Sequence, residues 1–128
     1  MKYLFDTHVM LWFLEDSSEL SKKARSILKN GENELYWSAA SYWEITVKVS
    51  LGKLELKKEW QTILEQEKKF NRILDLPIYQ QHCVPHANLP WHHRDPFDRL
   101  LICQAISENL IIITKDATIK KYKVKTAW

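Results

Sequence analysis

The chain predicts an α/β fold with a central parallel sheet and helices on both of its faces. Three observations predict it. Short apolar runs, KYLFD (2–6), ELYWS (34–38) and LIIIT (110–114), read as buried strands. Segments with helical starts, stripes or stops lie between them. Strand and helix therefore alternate, which is the pattern of parallel strands joined by crossover helices.

KYLFD ends in Asp6 and leads into THVMLWFLED (7–16), a helix. SKKARSILKN (21–30) has a serine start and Gly31 just past its end, so it reads as a second helix. After the ELYWS strand, SAASYWEITVKVSLGKL puts Ala40, Trp43, Val47 and Leu51 on one helical stripe, closed by Gly52. Lys57 to Asn71 is amphipathic, with Trp60, Ile63, Leu64 and Phe70 inward. RILDLP (72–77) is a third short strand closed by Pro77. Ile78 to Asn88 is a short helix or turn, and Leu89 to Arg94 is a loop. Asp95 opens a helix running to about Asn109. LIIIT follows, Asp116 opens a short helix, and a last strand lies near Tyr122 to Lys125.

A length of 128 residues suits one domain, residues 1–128, with a real core. Hydrophobic residues make up 45% and charged residues 27%, as in ordinary globular proteins. The net charge of +3 permits nucleic-acid binding without demanding it. Cys83 and Cys103 form no CxxC pair and lie in apolar surroundings, so they read as reduced core residues of a cytoplasmic protein. The N-terminal run carries Asp6 and His8 and no small-residue cleavage pattern, which argues against a signal peptide. Its longest stretch without a polar residue, VMLWFL, falls far short of the ~20 residues of a membrane span.

Ligands of parallel sheets bind outside the carboxyl ends of the strands. Asp6 ends the first strand, and Asp116 stands two residues after LIIIT. Glu44 lies in the second turn of the helix after ELYWS, and Asp98 in the first turn of the DPFDR helix. All four fall at one sheet edge, where unpaired carboxylates would repel. A hard divalent cation, Mg²⁺ or Mn²⁺, would accept such oxygen ligands, and it suits phosphodiester hydrolysis. Each acid also has a plain structural reading. Asp6 and Asp116 could cap helices, and Glu44 has Lys48 four residues on as a surface ion-pair partner. In HRDPFDR, Asp95 is the N-cap, Pro96 takes the first helical position, and Asp98 falls at the third. Asp95 thus has a sufficient structural task, and Asp98 is the better placed to face a metal.

FDTHVMLWFL, SAASYWEITVKVSLGKL, HRDPFDRLLICQA and LIIITKD resemble, in this order and over nearly the whole chain, the PIN-domain ribonucleases of the VapC-type toxin branch. The resemblance implies a Rossmann-like α/β/α sandwich and Mg²⁺- or Mn²⁺-dependent endonuclease activity on RNA. It implies a cognate antitoxin that blocks the site, and a toxin homodimer. The family's acidic quartet falls on Asp6, Glu44, Asp98 and Asp116, with Asp95 as a further acid of the DPFD form of this branch. Thr7 and Thr114 match hydroxyl positions beside the site. The alternatives are a PIN-fold nuclease on DNA or RNA outside a toxin–antitoxin system, and a non-catalytic nucleic-acid-binding module.

Arg94, Arg99 and Lys48 are candidate RNA contacts, whereas His92 and His93 read as solvated loop residues. His82 and His86 flank Cys83 at a spacing that permits zinc, but Pro85 interrupts the turn and a full ligand set is lacking. Trp12, Trp43 and Trp60 fall on apolar stripes as core or partner-binding residues. An aspartyl-nucleophile phosphatase would want an acid two residues after Asp6, where His8 stands.

Overall fold

The computed structural model describes all 128 residues. Five strands form one wholly parallel sheet: β1 (Lys2–Phe5), β2 (Glu34–Ser38), β3 (Leu74–Leu76), β4 (Ile111–Ile113) and β5 (Thr126–Ala127). Their order is β3-β2-β1-β4-β5. The chain moves outward from β1 through β2 to β3, then crosses to the other side of β1 for β4 and β5. The order therefore reverses between β1 and β4, and there the crevice of an open α/β sheet forms.

Six helices cover the sheet: α1 (Thr7–Leu14), α2 (Lys22–Lys29), α3 (Ala39–Ser50), α4 (Trp60–Phe70), α5 (Gln80–Cys83) and α6 (Pro96–Glu108). Alternation along β1 divides the core. Tyr3 and Phe5 join Val9, Met10 and Leu11 of α1, Ala24, Ile27 and Leu28 of α2 and Leu64 of α4 on one face. Leu4 points to the other face, with Ile112 of β4 and Leu101, Ile102, Cys103 and Ala105 of α6. Both faces being covered explains why the strands read as continuous apolar runs. The fold class is the α/β/α sandwich expected from the sequence.

Three apolar assignments are corrected. On α3 the buried residues are Ala40, Ser41, Glu44 and Ile45, while Trp43 and Leu51 are 65% and 62% exposed. The helix turns inward the face whose polar groups find partners, and apolar patterning does not register such a face. Phe70 is 85% exposed, because it is the last residue of α4 and the buried face there runs through Leu64 and Lys68. Cys83 ends the one-turn α5 at the surface, and only Cys103 is buried.

The chain's end also differs. Asp116 opens no α-helix; a 3₁₀ turn forms at Ile119–Lys121. The last strand is Thr126–Ala127 rather than Tyr122–Lys125, because Ile113 pairs with Ala127 and Tyr122 is drawn into the core beside α6. No helix is long and apolar enough to cross a membrane.

The inverted stripe on α3 has a measurable consequence. Ile45→Ala should destabilise the protein by ~2–4 kcal/mol through loss of buried surface and a residual cavity, whereas Trp43→Ala should cost under ~1 kcal/mol. Urea unfolding of the two variants checks this.

Candidate active site

Each acid predicted from the sequence reaches the carboxyl edge of the sheet by a different local route. Asp6 follows β1 directly and occupies the N-cap position of α1, yet its side chain makes no cap hydrogen bond. Its Oδ2 instead accepts from Thr114 Oγ1 at 2.7 Å, across the crevice between β1 and β4. Thr114 also accepts from the Asp116 backbone N–H at 3.0 Å, so one hydroxyl ties the first acid to the segment that carries the last. Burial pushes the Asp6 carboxyl above its ordinary value; the Thr114 bond and nearby His8 oppose this, while the charges of Glu44 and Asp116 reinforce it.

Glu44 is 2% exposed. Its Oε1 accepts from Thr7 Oγ1 at 2.8 Å, and Thr7 Oγ1 also lies 2.8 Å from Ser41 Oγ. Its Oε2 meets Lys48 Nζ at 2.5 Å. The expected ion pair with Lys48 therefore exists, but it closes over a buried carboxylate and is no surface pair. Partial burial pulls the Lys48 ammonium down. The Glu44 bond and the charges of Glu44, Asp95 and Asp98 outweigh that pull and hold it above the ordinary lysine value. Lys48, expected as an RNA contact, is thus already spent on Glu44.

Asp95 is the N-cap of α6, with Oδ1 accepting from the N–H groups of Phe97 (2.8 Å) and Asp98 (3.3 Å). Pro96 fills the first helical position, where the absent N–H costs nothing. Asp98, in the first turn, carries the strongest perturbation of the site. Burial first, then the charges of Asp6, Asp95, Glu44 and Asp116, push its carboxyl up to about 8. Asp116 goes the other way: burial raises it, but the Thr118 N–H and His93 outweigh burial and hold it below the ordinary value.

Asp6, Asp98 and Asp116 line an open cleft of about 330 Å³ together with His8, Trp12 and Lys115. Glu44 and Asp95 do not line it; they act on it through charge and position. Lys115 Nζ stands 5.9 Å from the centre of the Trp12 ring, so the rim carries both a cation and an aromatic surface.

The sequence reading overlooked His93. It is no solvated loop residue: Nε2 lies 3.0 Å from both Asp98 Oδ2 and Asp116 Oδ2. Arg99 is likewise reassigned from a candidate RNA contact to a buried anchor, 1% exposed. Its guanidinium donates to the carbonyls of Leu89, Pro90 and His93, to Tyr122 Oη and to His86 Nε2. It also stacks 3.5 Å from the centre of the Trp91 ring. Arg99 precedes the fully buried Ile102 and Cys103 by three and four residues, and that spacing was the available signal for burial. Arg94 remains exposed. The ring nitrogens of His82 are taken by the Tyr79 N–H and Glu108, so His82 has none free for zinc, and Arg99 takes His86 Nε2.

The sequence profile of the PIN domain family matches residues 3–125. The chain belongs to the PIN domain family. PIN domains are nucleases, and a crevice of converging acids is consistent with that class. No curated protein matches the chain. Among solved structures it is similar to VapBC2 from Rickettsia felis bound to a DNA fragment from their promoter, at 16% identity and a TM-score of 0.73, covering 99% of this chain and 98% of that one. VapBC-1 from nontypeable Haemophilus influenzae aligns at 18% identity and a TM-score of 0.71, covering 99% and 97%. FitAcB from Neisseria gonorrhoeae aligns at 17% identity and 0.63, covering 97% and 95%. At such identities the likeness shows that this PIN domain shares their fold.

Two predictions arise from the site. Below the ordinary carboxyl value of 3.8, Asp98 is protonated in both the folded and the unfolded chain. Between there and about 8 only the unfolded chain ionises, so the folded state loses relative stability as pH rises through this window. The melting temperature of the metal-free protein should therefore fall between about pH 5 and 8, and Asp98→Asn should flatten most of that slope. Separately, Asp95→Ala should cost ~1 kcal/mol of stability as a lost cap, while Asp95→Asn should be nearly silent in urea unfolding.

Proposed function

We propose that this PIN domain is a Mg²⁺- or Mn²⁺-dependent endoribonuclease and the toxin of a toxin–antitoxin pair acting in the cytoplasm. The observation that carries the reading is the convergence of Asp6, Asp98 and Asp116 on one cleft at the switch point of the sheet, with Glu44 buried beside them. The donor set fits a hard divalent cation. It offers carboxylate oxygens, and their crowding leaves Asp98 holding a proton until about pH 8, a strain that two positive charges would relieve.

Asp6, Asp98 and Asp116 would hold the ion, with Glu44 acting from behind through a water or through charge alone. Thr114 and Thr7 set the angles of Asp6 and Glu44 by their hydroxyl bonds. Such an ion supplies stabilisation of charge on the phosphate and a source of hydroxide at neutral pH. Water oxygen adds to phosphorus, one P–O ester bond breaks, and a proton passes to the leaving oxygen. His8 and Lys115 line the cleft where flanking phosphates would lie, Lys115 after release from its surface pair with Glu19 at 2.9 Å, and Trp12 offers a ring to a base; the exposed Arg94 is a further candidate contact.

The partner reading rests on a second feature. Leu11, Leu14, Ile45, Leu56, Trp60, Ile63 and Leu64 line an apolar groove of about 310 Å³ on the α1, α3 and α4 side. We assign this groove to an antitoxin segment whose continuation carries a basic side chain to the acids. Leu11 and Leu14 of α1 and Ile45 of α3 contribute to this groove, whereas Trp12 and Trp43 do not line it. The two-component VapBC and FitAcB structures support this assignment by analogy of fold.

Incubation with a pool of cellular RNA tests the activity. Cleavage should require Mg²⁺ or Mn²⁺ and cease with EDTA. Asp6→Asn, Asp98→Asn and Asp116→Asn should each keep the fold and lower the rate at least ~100-fold, a loss of about 2.7 kcal/mol in transition-state stabilisation. Full activity in EDTA would refute the metal reading, and cleavage of DNA but not RNA would favour the alternative of a DNA-directed PIN nuclease.

A further inference from the structure

His93 lies in a loop, yet its ring is held at both ends. The Asp95 backbone N–H donates to Nδ1 at 3.1 Å. An N–H donor can bond only a bare nitrogen, so in the neutral ring the proton sits on Nε2. That nitrogen lies 3.0 Å from one oxygen of Asp98 and one of Asp116. The loop is fixed as well: His93 N–H donates to Tyr122 Oη at 2.8 Å, and His93 O accepts from Arg99. Asp116 is thus fastened from two sides, Oδ2 by His93 and Oδ1 by the Thr118 N–H at 2.7 Å.

These three groups could be taken for a metal set, since one ligand atom from each lies within 4.8 Å of the others. The Asp95 bond argues otherwise. Ligation through Nε2 would move the proton to Nδ1, where it would face the Asp95 N–H. An Nε2–H instead donates to Asp116 Oδ2 and stands 3.0 Å from Asp98 Oδ2, which fixes the spacing of the two acids.

We infer that His93 is a positioning residue of the proposed metal site: an Nε2–H donor, oriented by the cap residue Asp95, that sets Asp98 and Asp116 for a cation without ligating it. The inference rests on the metal-dependent reading above. It also gives Asp95 a second task, because its side chain caps α6 while its backbone N–H orients the histidine.

Ring-nitrogen NMR, calorimetry with Mn²⁺ and single-turnover RNA cleavage test the proposal on the full chain. At a pH well above the ordinary histidine value, the ring should show an Nε2–H and a bare Nδ1 in the metal-free protein, and the same form when saturated with Mg²⁺. His93→Leu should weaken Mn²⁺ binding by ~10- to 100-fold, the usual effect of removing a group that orients a ligand. His93→Gln, whose amide N–H reaches as far as Nε2, should recover most of that loss. A Mg²⁺-bound form with the proton on Nδ1 would make His93 a ligand and overturn the proposal. So would a Gln variant as weak as the Leu variant, or a Leu variant that binds as the wild type does. Should His93→Leu fail to fold, the NMR form and the Gln variant decide. Absence of Mn²⁺ uptake by the wild-type chain would refute the metal reading, and this inference with it, whereas normal uptake by wild type and His93→Leu alike would remove this inference alone.

Discussion

Carboxylates packed close together in a partly buried crevice repel, and burial removes the water that would screen them. This chain nonetheless gathers Asp6, Glu44, Asp98 and Asp116 at the carboxyl ends of β1 and β4, where the strand order reverses. Each is tolerated through a different compensation. Asp6 takes a hydroxyl from Thr114, Glu44 takes Thr7 and Lys48, and Asp116 takes the Thr118 N–H and His93. Asp98 has the least relief from fixed partners and holds its proton until about pH 8. Stability alone would not assemble such a group, since apolar residues in these positions would pack without the repulsion. The arrangement has a purpose if a cation completes it.

Much of the surrounding structure serves that crevice. The polar face of α3 turns inward because Ser41 and Glu44 meet Thr7 at the start of α1. The guanidinium of Arg99 gathers three loop carbonyls and stacks on Trp91, so the irregular segment beside α6 has a fixed shape. That shape delivers His93 to the acids. The fold thus places one acid directly after a strand, one three residues past a strand and two on helix turns, and buried polar contacts tie those separate pieces together.

The parallel sheet and the order of its main elements were legible from the sequence, because KYLFD, ELYWS and LIIIT are apolar runs too short for helices and each is followed by a helical segment or a cap. The DPFD helix start was legible for the same local reason: an aspartate cap and a proline in the first turn need no tertiary partner. The α3 face was not, since apolar periodicity places Trp43 inward and has no means of counting a buried Glu44. Nor was His93, whose contacts are to residues 5 and 23 positions away and depend on the loop geometry that Arg99 imposes. Arg99 was misread as a surface charge because its partners are backbone carbonyls, which leave no trace in residue type. The acids themselves could be aligned to one sheet edge from topology, but the division between cleft-lining Asp6, Asp98 and Asp116 and the covered Glu44 required side-chain placement.

The central claim is that the crowded acids form a cation site. The most direct measurement is the titration of the Asp98 side-chain carboxyl by carbon NMR, first in metal-free protein and then in saturating Mg²⁺. The account predicts a midpoint near 8 without metal and a fall into or below the ordinary carboxyl range when the ion is present. A midpoint near 3.8 in both conditions, unmoved by Mg²⁺, would contradict it.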